Sequence, residues 1–366
     1  MLLNIKALIV VLAMIAGTTW VVRRWMGESF LPSETSKDLA LGWLGISCAL
    51  FLSPNFWVFS FLTFGLLFWL GQRQHPVVLF AGLIYAAPYL EQLIPGIGGI
   101  NQLLSISYPR LLALTCLFLW ITKWKPAKKE RIKDSAIFDT ALLCYGLYFL
   151  VLQLMSDTLT NSLRYFLYFL IDAMLVYWIG RTWPTDRKLF NHAVAAFLFG
   201  VMITCMIAAF EFAKGWLLYS TLGETLNALG SMNIYLVRGD TGLLRASAST
   251  GHSIAMGYVA MVGIIMWMGY SEIVRMPLKI KVVGLGMIAA GSIASLSRGP
   301  WVSLIAGLIL WFSLSPQGLK RLFMAAGVMG AAFGLVLLTP ARDEIISLIP
   351  WVGSTDSQNI DYRARL

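Results

Sequence analysis

Apolar runs separated by short polar segments recur along the chain. Most of these runs approach the roughly 20 residues that a helix needs to cross a bilayer. No stretch alternates apolar and polar residues as the strands of a membrane barrel do. The pattern therefore predicts an all-α, polytopic transmembrane helix bundle with about 11–12 spans. The candidate spans are 7–22, 39–53, 55–71, 77–92, 108–122, 136–155, 160–180, 189–212, 252–270, 279–296, 300–315 and 322–339.

Composition supports a membrane protein. Of the 366 residues, 58% are hydrophobic and 13% are charged, and the mean hydropathy is +0.74. About a quarter of the residues of a soluble domain are charged, so we expect an integral membrane protein with the lipid bilayer as a partner. All four cysteines fall inside apolar runs without the spacing of a metal site. We interpret them as packing residues.

Much of the formal net charge of +10 lies in four loops rich in Lys and Arg. If the spans alternate, all four loops fall on one side of the membrane. Basic loops stay in the cytoplasm, so this charge indicates topology and predicts no nucleic-acid partner. The orientation of the N-terminus stays open, because 39–71 is either two spans or one broken, re-entrant element. The four loops are 123–135, 181–188, 275–279 and 320–321.

The same pattern divides the chain into three regions. Residues 1–188 are N-terminal transmembrane helices, 189–339 form a transmembrane core, and 340–366 begin an extracytoplasmic loop. Small residues within 284–292 and 327–334 predict close contacts between helices.

Arginines gather on the predicted outer side, where lysine is nearly absent. Arg238 and Arg245 precede one span, Arg298 lies in a turn, and Arg363 and Arg365 lie in the final segment. The planar guanidinium binds phosphate or carboxylate through two parallel hydrogen bonds. Three arginine clusters on one face therefore favour a lipid diphosphate ligand. The alternative is that they contact ordinary phospholipid headgroups.

Four more polar residues lie near the same face. Arg164 precedes Asp172 by eight residues, about two helical turns, and Glu211 lies near the outer end of 189–212. Charges inside a span persist as structural pairs or as functional sites, and both interpretations stay open here. His252 begins a span. It either binds a sugar hydroxyl, acts as a base, or serves as a polar residue at the helix start.

Motifs of several enzyme classes are missing from the sequence. It has no Asp-x-Asp pair, no Walker A sequence, no Gly-x-Ser-x-Gly and no His-Glu-x-x-His. A nucleotide-sugar enzyme, an ATPase and a zinc protease are therefore disfavoured. We expect no metal ion and no cofactor.

The residues best suited to binding or catalysis form a recognisable combination. Arg245, "GHS" at 251–253, "SLSRGPW" at 295–301 and "DYRARL" at 361–366 together resemble the O-antigen ligase and polymerase family of bacterial envelopes. The resemblance covers about 200–366. Two further stretches resemble spans of that family more weakly, namely "YPRLLALTCLFLWI" and "SLRYFLYFLIDAMLVYWIGR".

This resemblance implies a metal-independent glycosyltransferase of the bacterial inner membrane, with its active site facing the periplasm. The donor would be a glycan linked to undecaprenyl diphosphate, and other polysaccharide assembly proteins would be partners. Polymerases extend a polysaccharide, whereas ligases transfer the glycan to lipid A-core or another acceptor. The resemblance implies that Arg245 and Arg298 hold the diphosphate and that Arg363 belongs to the outer loop that closes over it.

The chain also departs from the family pattern. His252-Ser253-Ile254 stands where the family has His-Pro-Asn, and the chain stops at Leu366, inside the expected outer loop. A ligase would carry a catalytic histidine in or after that loop, so the base is expected beyond this sequence, and whether the chain alone is active stays open. Eight predicted spans before Arg245 favour a polymerase over a ligase. A transporter of lipid-linked sugars is the rival function, although no internal repeat supports it.

Overall fold

The computed structural model describes residues 2–96, 102–123, 135–181, 187–229, 237, 242–313 and 327. They form two compact units, one of Met1–Ile203 with Leu218–Met232, the other of Thr204–Leu217 with Asn233–Leu366. The protein is mostly helical, as the apolar pattern predicts. The predicted span 322–339 and the predicted loop 340–366 lie outside the described residues, apart from residue 327.

The first unit contains most of the helices and one β-hairpin. Helix α1 continues into a π-helical turn at Val22–Met26 and a short 3₁₀ turn, and α7 continues through a second π-helical segment, Leu170–Leu175, into α8. The elements are α1 Leu2–Val21, α2 Ser33–Leu52, α3 Phe56–Gly71, α4 Pro76–Leu83, β1 Glu91–Pro95, β2 Gln102–Ser107, α5 Tyr108–Thr122, α6 Ser135–Ser156, α7 Leu159–Phe169, α8 Val176–Arg181, most of α9 Arg187–Lys214, and α10 Leu222–Thr225.

Within residues 204–217 and 242–313, the second unit contains the end of α9 and three further helices. A 3₁₀ turn at Ala248–Thr250 precedes them. They are α11 Ser253–Ile273, α12 Leu278–Ala294 and α13 Arg298–Ser313. The 284–292 segment contacts its neighbours closely, as predicted: a Cβ on Gly291 would lie 2.6 Å from Sγ of Cys205, and Gly284 faces the Trp267 ring.

Five of the described helical segments are long and apolar enough to cross a membrane. Side chains on α6 show the expected lipid-facing character, because Ile137 is 72% exposed and Met155 80% exposed. The protein therefore has the features of a membrane protein, while the full number of 11–12 spans stays a prediction. The five segments are Leu3–Ser29, Ile137–Ser156, Leu159–Gly180, Arg187–Lys214 and Ser253–Ile273.

The predicted span 77–92 is wrong. Helix α4 ends at Leu83 after 8 residues, about 12 Å, which is too short to cross a bilayer. The chain then enters the antiparallel pair β1–β2, in which Glu91 faces Ser107. Side chains from other helices bind the carbonyls at the end of α4: Trp43 Nε1 donates to Gly82 at 2.9 Å and the Tyr108 hydroxyl to Leu83 at 2.5 Å. The Trp43 bond satisfies a carbonyl at the end of the short helix, and the Leu83 carbonyl accepts from the backbone N–H of Ala86 at 2.9 Å as well.

Candidate functional site

The amino ends of α11 and α13 lie against each other. A Cβ on Gly257, in the second turn of α11, would lie 2.7 Å from Cγ of Pro300 in the first turn of α13. A Cβ on Gly299 would lie 3.6 Å from the hydroxyl of Tyr258. The first N–H groups of a helix have no partner within it, and the helix dipole attracts anions there. Negative charge is therefore favoured beside this pair of helix ends.

The segment before α11 is anchored by two neighbouring elements. The backbone N–H of Ala246 donates to the carbonyl of Ala294, at the end of α12, at 3.0 Å. Glu211 of α9 is fully buried, and its Oε2 accepts from the backbone nitrogens of Ser247 at 3.1 Å and Ala248 at 2.8 Å. The buried carboxylate therefore fixes the backbone immediately after Arg245.

Arg245 extends from this segment to the turn before α13. Its Nη2 donates to Oγ of Ser297 at 2.9 Å, and Ser297 in turn donates to the Ser295 carbonyl at 3.1 Å. Nε of Arg245 is buried and has no hydrogen-bond partner among the described residues. Burial lowers the pKa of Arg245, but a guanidinium stays protonated in proteins. A charged donor is thus held beside the first residue of α13, which is Arg298.

His252 caps the amino end of α11. Its Nδ1 accepts from the backbone N–H of Ile254 at 3.1 Å. Of the alternatives considered for this residue, the structure shows the helix-start role directly. An Nδ1 that accepts this bond places the proton of a neutral imidazole on Nε2. His252 then presents an N–H donor, and any catalytic role stays a prediction.

Four of the predicted site residues thus lie in the second unit, namely Arg245, Arg298, Glu211 and His252. Their roles differ, because Glu211 fixes backbone and His252 caps a helix, while Arg245 keeps an unused donor. Arg238 and Arg363 lie outside the described residues. Their predicted roles are therefore left as predictions.

Arg164 and Asp172 belong to the first unit and have different partners. Arg164 donates from Nη2 to the carbonyl of Gln102 at 2.5 Å, from Nε to that of Leu103 at 3.3 Å, and from Nη1 to Asn161 at 2.9 Å. It thereby holds strand β2. Asp172 lies in the second π-helical segment and pairs with Arg110, whose Nη2 lies 2.8 Å from its Oδ2.

Arg110 is a buried charged residue that the sequence analysis did not single out. Its Nη1 donates to Oγ of Ser105 at 2.6 Å, and its Cζ lies 3.9 Å from the ring centroid of Tyr168. Glu91 Oε2 lies 3.8 Å from the same Nη1. The signal was present in the sequence, because an arginine inside an apolar run requires a partner. The partner could not be read from it, since Asp172 is 62 residues away.

The described residues contain no group of three or more His, Cys, Asp or Glu side chains that could hold a metal ion. No family model, curated protein or solved structure matches this chain. What the geometry shows is Arg245 bonded to the turn that begins α13, whose amino end lies against that of α11.

Proposed function

We propose that this protein is an integral membrane glycan polymerase. It transfers undecaprenyl-diphosphate-linked oligosaccharide onto a growing polysaccharide at the outer face of the bacterial inner membrane. One observation carries the proposal: the Nε donor of Arg245 is buried, has no partner in the described part of the chain, and lies beside Arg298 and the amino ends of α11 and α13. The resemblance to the O-antigen ligase and polymerase family supports it.

The chemistry of the reaction requires such a site. Displacing a lipid diphosphate from a sugar carbon leaves negative charge on the departing phosphates. Arginine and helix amino ends stabilise that charge, and most strongly when they are fixed before the reaction begins. Ser297 holds Arg245 from one side, while Glu211 fixes the backbone that carries it. A single displacement of this kind inverts the anomeric centre.

The acceptor hydroxyl must also lose a proton to a base. His252 serves the proposed reaction better as a donor to a sugar hydroxyl, because Nδ1 is engaged with Ile254. Acting as the base at Nε2 would require the other tautomer, with the proton on Nδ1, and the helix cap would then be lost. The proposed mechanism therefore assigns charge stabilisation to the arginines and sugar binding to His252, and places the base elsewhere.

Two alternative functions, ligase and transporter, are compatible with other features of the protein. A ligase would bind the same donor and pass the glycan to lipid A-core or another acceptor. A transporter of lipid-linked oligosaccharide is supported by the ion pair of Arg110 and Asp172, since ion pairs in apolar helices often line transport paths. Arg245 favours the enzyme, because its unused donor lies at a helix end, where a headgroup can approach.

Gene deletion in the bacterial host separates these functions. The measurement is the size and leaflet of the lipid-linked glycan that accumulates. Single repeat units on the outer leaflet are expected for a polymerase. Long chains still on the carrier would indicate a ligase, and units on the cytoplasmic leaflet would reject the enzyme in favour of a transporter.

Complementation of the deletion then tests the site itself. Wild type should restore long polysaccharide, and Arg245→Lys should not. Arg275→Lys is the matched control, because Arg275 is exposed in the turn after α11 and distant in sequence from the proposed site. Equal restoration by both variants would remove Arg245 from the site.

A further inference from the structure

A cavity in the first unit lies where α1 meets α2. It has a volume of about 590 Å³, in the range of small-molecule and lipid sites. One part of its wall is apolar and the other contains two adjacent cations. The lining includes Ala16, Trp20, Arg23, Arg24, Ala40 and Leu44.

The two cations are placed there by a break in helix geometry. Helix α1 passes into the π-helical turn Val22–Met26, which ends at Gly27 with a positive φ of 62°. Val22 and Met26 face the interior of the unit, whereas Arg23 and Arg24 remain exposed. Only glycine adopts such a φ without strain, so Gly27 lets the chain turn back toward α2 directly after the arginines. Such π-helical turns are frequent at functional sites.

Arg23 and Arg24 have unused hydrogen-bonding capacity. Neither makes an ion pair or a side-chain hydrogen bond to the residues that the structure describes. The nearby carboxylates offset this charge only in part: Glu28 lines the same cavity but forms no ion pair with a described residue, and Glu34 is bonded to Lys37 at 2.7 Å. Arg23 acts on Glu34 only at longer range. The cavity is therefore positively charged at one end.

The flanking residues indicate the depth of this cavity in the bilayer. Trp20 and Trp25 are 62% and 55% exposed, and they lie at the end of the apolar segment Leu3–Ser29. Exposed tryptophans and arginines at the end of a span mark the level of lipid headgroups. A ligand at this depth has an anionic head beside the arginines and an apolar tail along Ala16 and Leu44.

We propose that this cavity binds a lipid phosphate ester, with the phosphate on Arg23 and Arg24 and the acyl or prenyl chain against the apolar wall. The site is separate from the one assigned to glycan transfer and does not depend on it. Its ligand is either an anionic bilayer phospholipid or a polyprenyl diphosphate, because both present the same phosphate chemistry.

Native mass spectrometry of the purified full chain in neutral detergent tests the proposal by measuring lipid binding. The probes are phosphatidylglycerol, undecaprenyl diphosphate and phosphatidylcholine. Phosphatidylglycerol should bind saturably, and the variant with Arg23→Ala and Arg24→Ala should bind it about thirtyfold more weakly. Undecaprenyl diphosphate displacing phosphatidylglycerol at tenfold lower concentration would identify the carrier lipid as the ligand, and comparable affinities would identify bilayer phospholipid.

Matched variants keep this test decisive. Lys6→Ala with Lys279→Ala removes two exposed cations outside the cavity and should leave binding unchanged. Ala16→Trp fills the apolar part and should abolish binding with both arginines present. Arg23→Lys with Arg24→Lys should weaken binding in a chain that keeps its charge and fold. Equal binding of phosphatidylcholine, or equal effects of the two double-alanine variants, would overturn the proposal.

Discussion

The carboxylate of Glu211 lies 2.8 Å from the backbone nitrogen of Ala248 and accepts its hydrogen bond. It also accepts from Ser247, so one buried oxygen satisfies two consecutive backbone donors. Ala248 needs this support because its φ is +46°, a conformation that L-residues avoid. Glu211 thus holds a strained segment in the position from which Arg245 reaches Ser297.

Glu211→Ala should destabilise the protein by about 2 kcal/mol, because two buried donors lose their acceptor. Glycan transfer should fall with it, since Arg245 is no longer fixed. Thermal unfolding in detergent measures the first effect, and polysaccharide length measures the second. The control is Lys214→Ala, which removes an exposed charge from the last turn of the same helix. Equal unfolding temperatures for the two variants would contradict the anchoring role.

Arg298→Lys should reduce glycan transfer about 10²- to 10³-fold while the protein inserts normally. A lysine keeps the charge but cannot make two parallel bonds to a phosphate. The assay supplies the undecaprenyl-diphosphate donor to purified protein and follows the release of undecaprenyl diphosphate. Arg275→Lys should release it at the rate of wild type. Unchanged release by Arg298→Lys would exclude Arg298 from the proposed site.

Arg110→Leu should destabilise the first unit by about 1–3 kcal/mol. Loss of one partner of a fully buried ion pair costs about 3–5 kcal/mol, and the 46% exposure of the Asp172 side chain reduces that cost here. The double variant with Asp172→Leu should recover part of the loss, because no unpaired charge remains. Thermal unfolding of both single variants and the double variant gives the coupling free energy. Additive effects would show that the pair is not energetically coupled.

Most helices could be predicted from the sequence, because lipid imposes a single simple requirement on apolar runs. The wrong prediction of a membrane span at 77–92 has a local cause. Apolar residues there continue from α4 into strand β1, and periodicity alone does not separate a short buried helix from a strand. The Pro-Gly and Gly-Gly pairs between Pro95 and Ile100 were the available turn signal.

The residues of the candidate site could be predicted from the sequence, but the contacts between them could not. The clustering of arginines on the predicted outer side and the Ser-Arg-Gly-Pro turn indicated Arg245 and Arg298. The function of Glu211 as a backbone anchor depends on Ala248, 37 residues away, and no local pattern encodes that contact. The same holds for Arg110 and Asp172, whose partnership exists only once the helices have packed.

The packing of α12 against α11 provides a prediction that is independent of function. Gly284 faces the Trp267 ring so closely that a Cβ would overlap it, and the ring cannot move freely because Nε1 donates to the carbonyl of Lys281 at 3.0 Å. Gly284→Ala should therefore destabilise the second unit by about 1–3 kcal/mol through overpacking.

Gly286 offers the matched control for this substitution. It lies two residues further along α12, and a Cβ there would meet no atom within 4 Å. Gly286→Ala should stabilise the helix by up to about 1 kcal/mol, because alanine loses less backbone entropy than glycine. The unfolding temperatures of the two variants, measured in the same detergent, should therefore shift in opposite directions relative to wild type. A shift of the same sign and size would mean that helix propensity alone, and not the approach of α12 to α11, determines the effect of both substitutions.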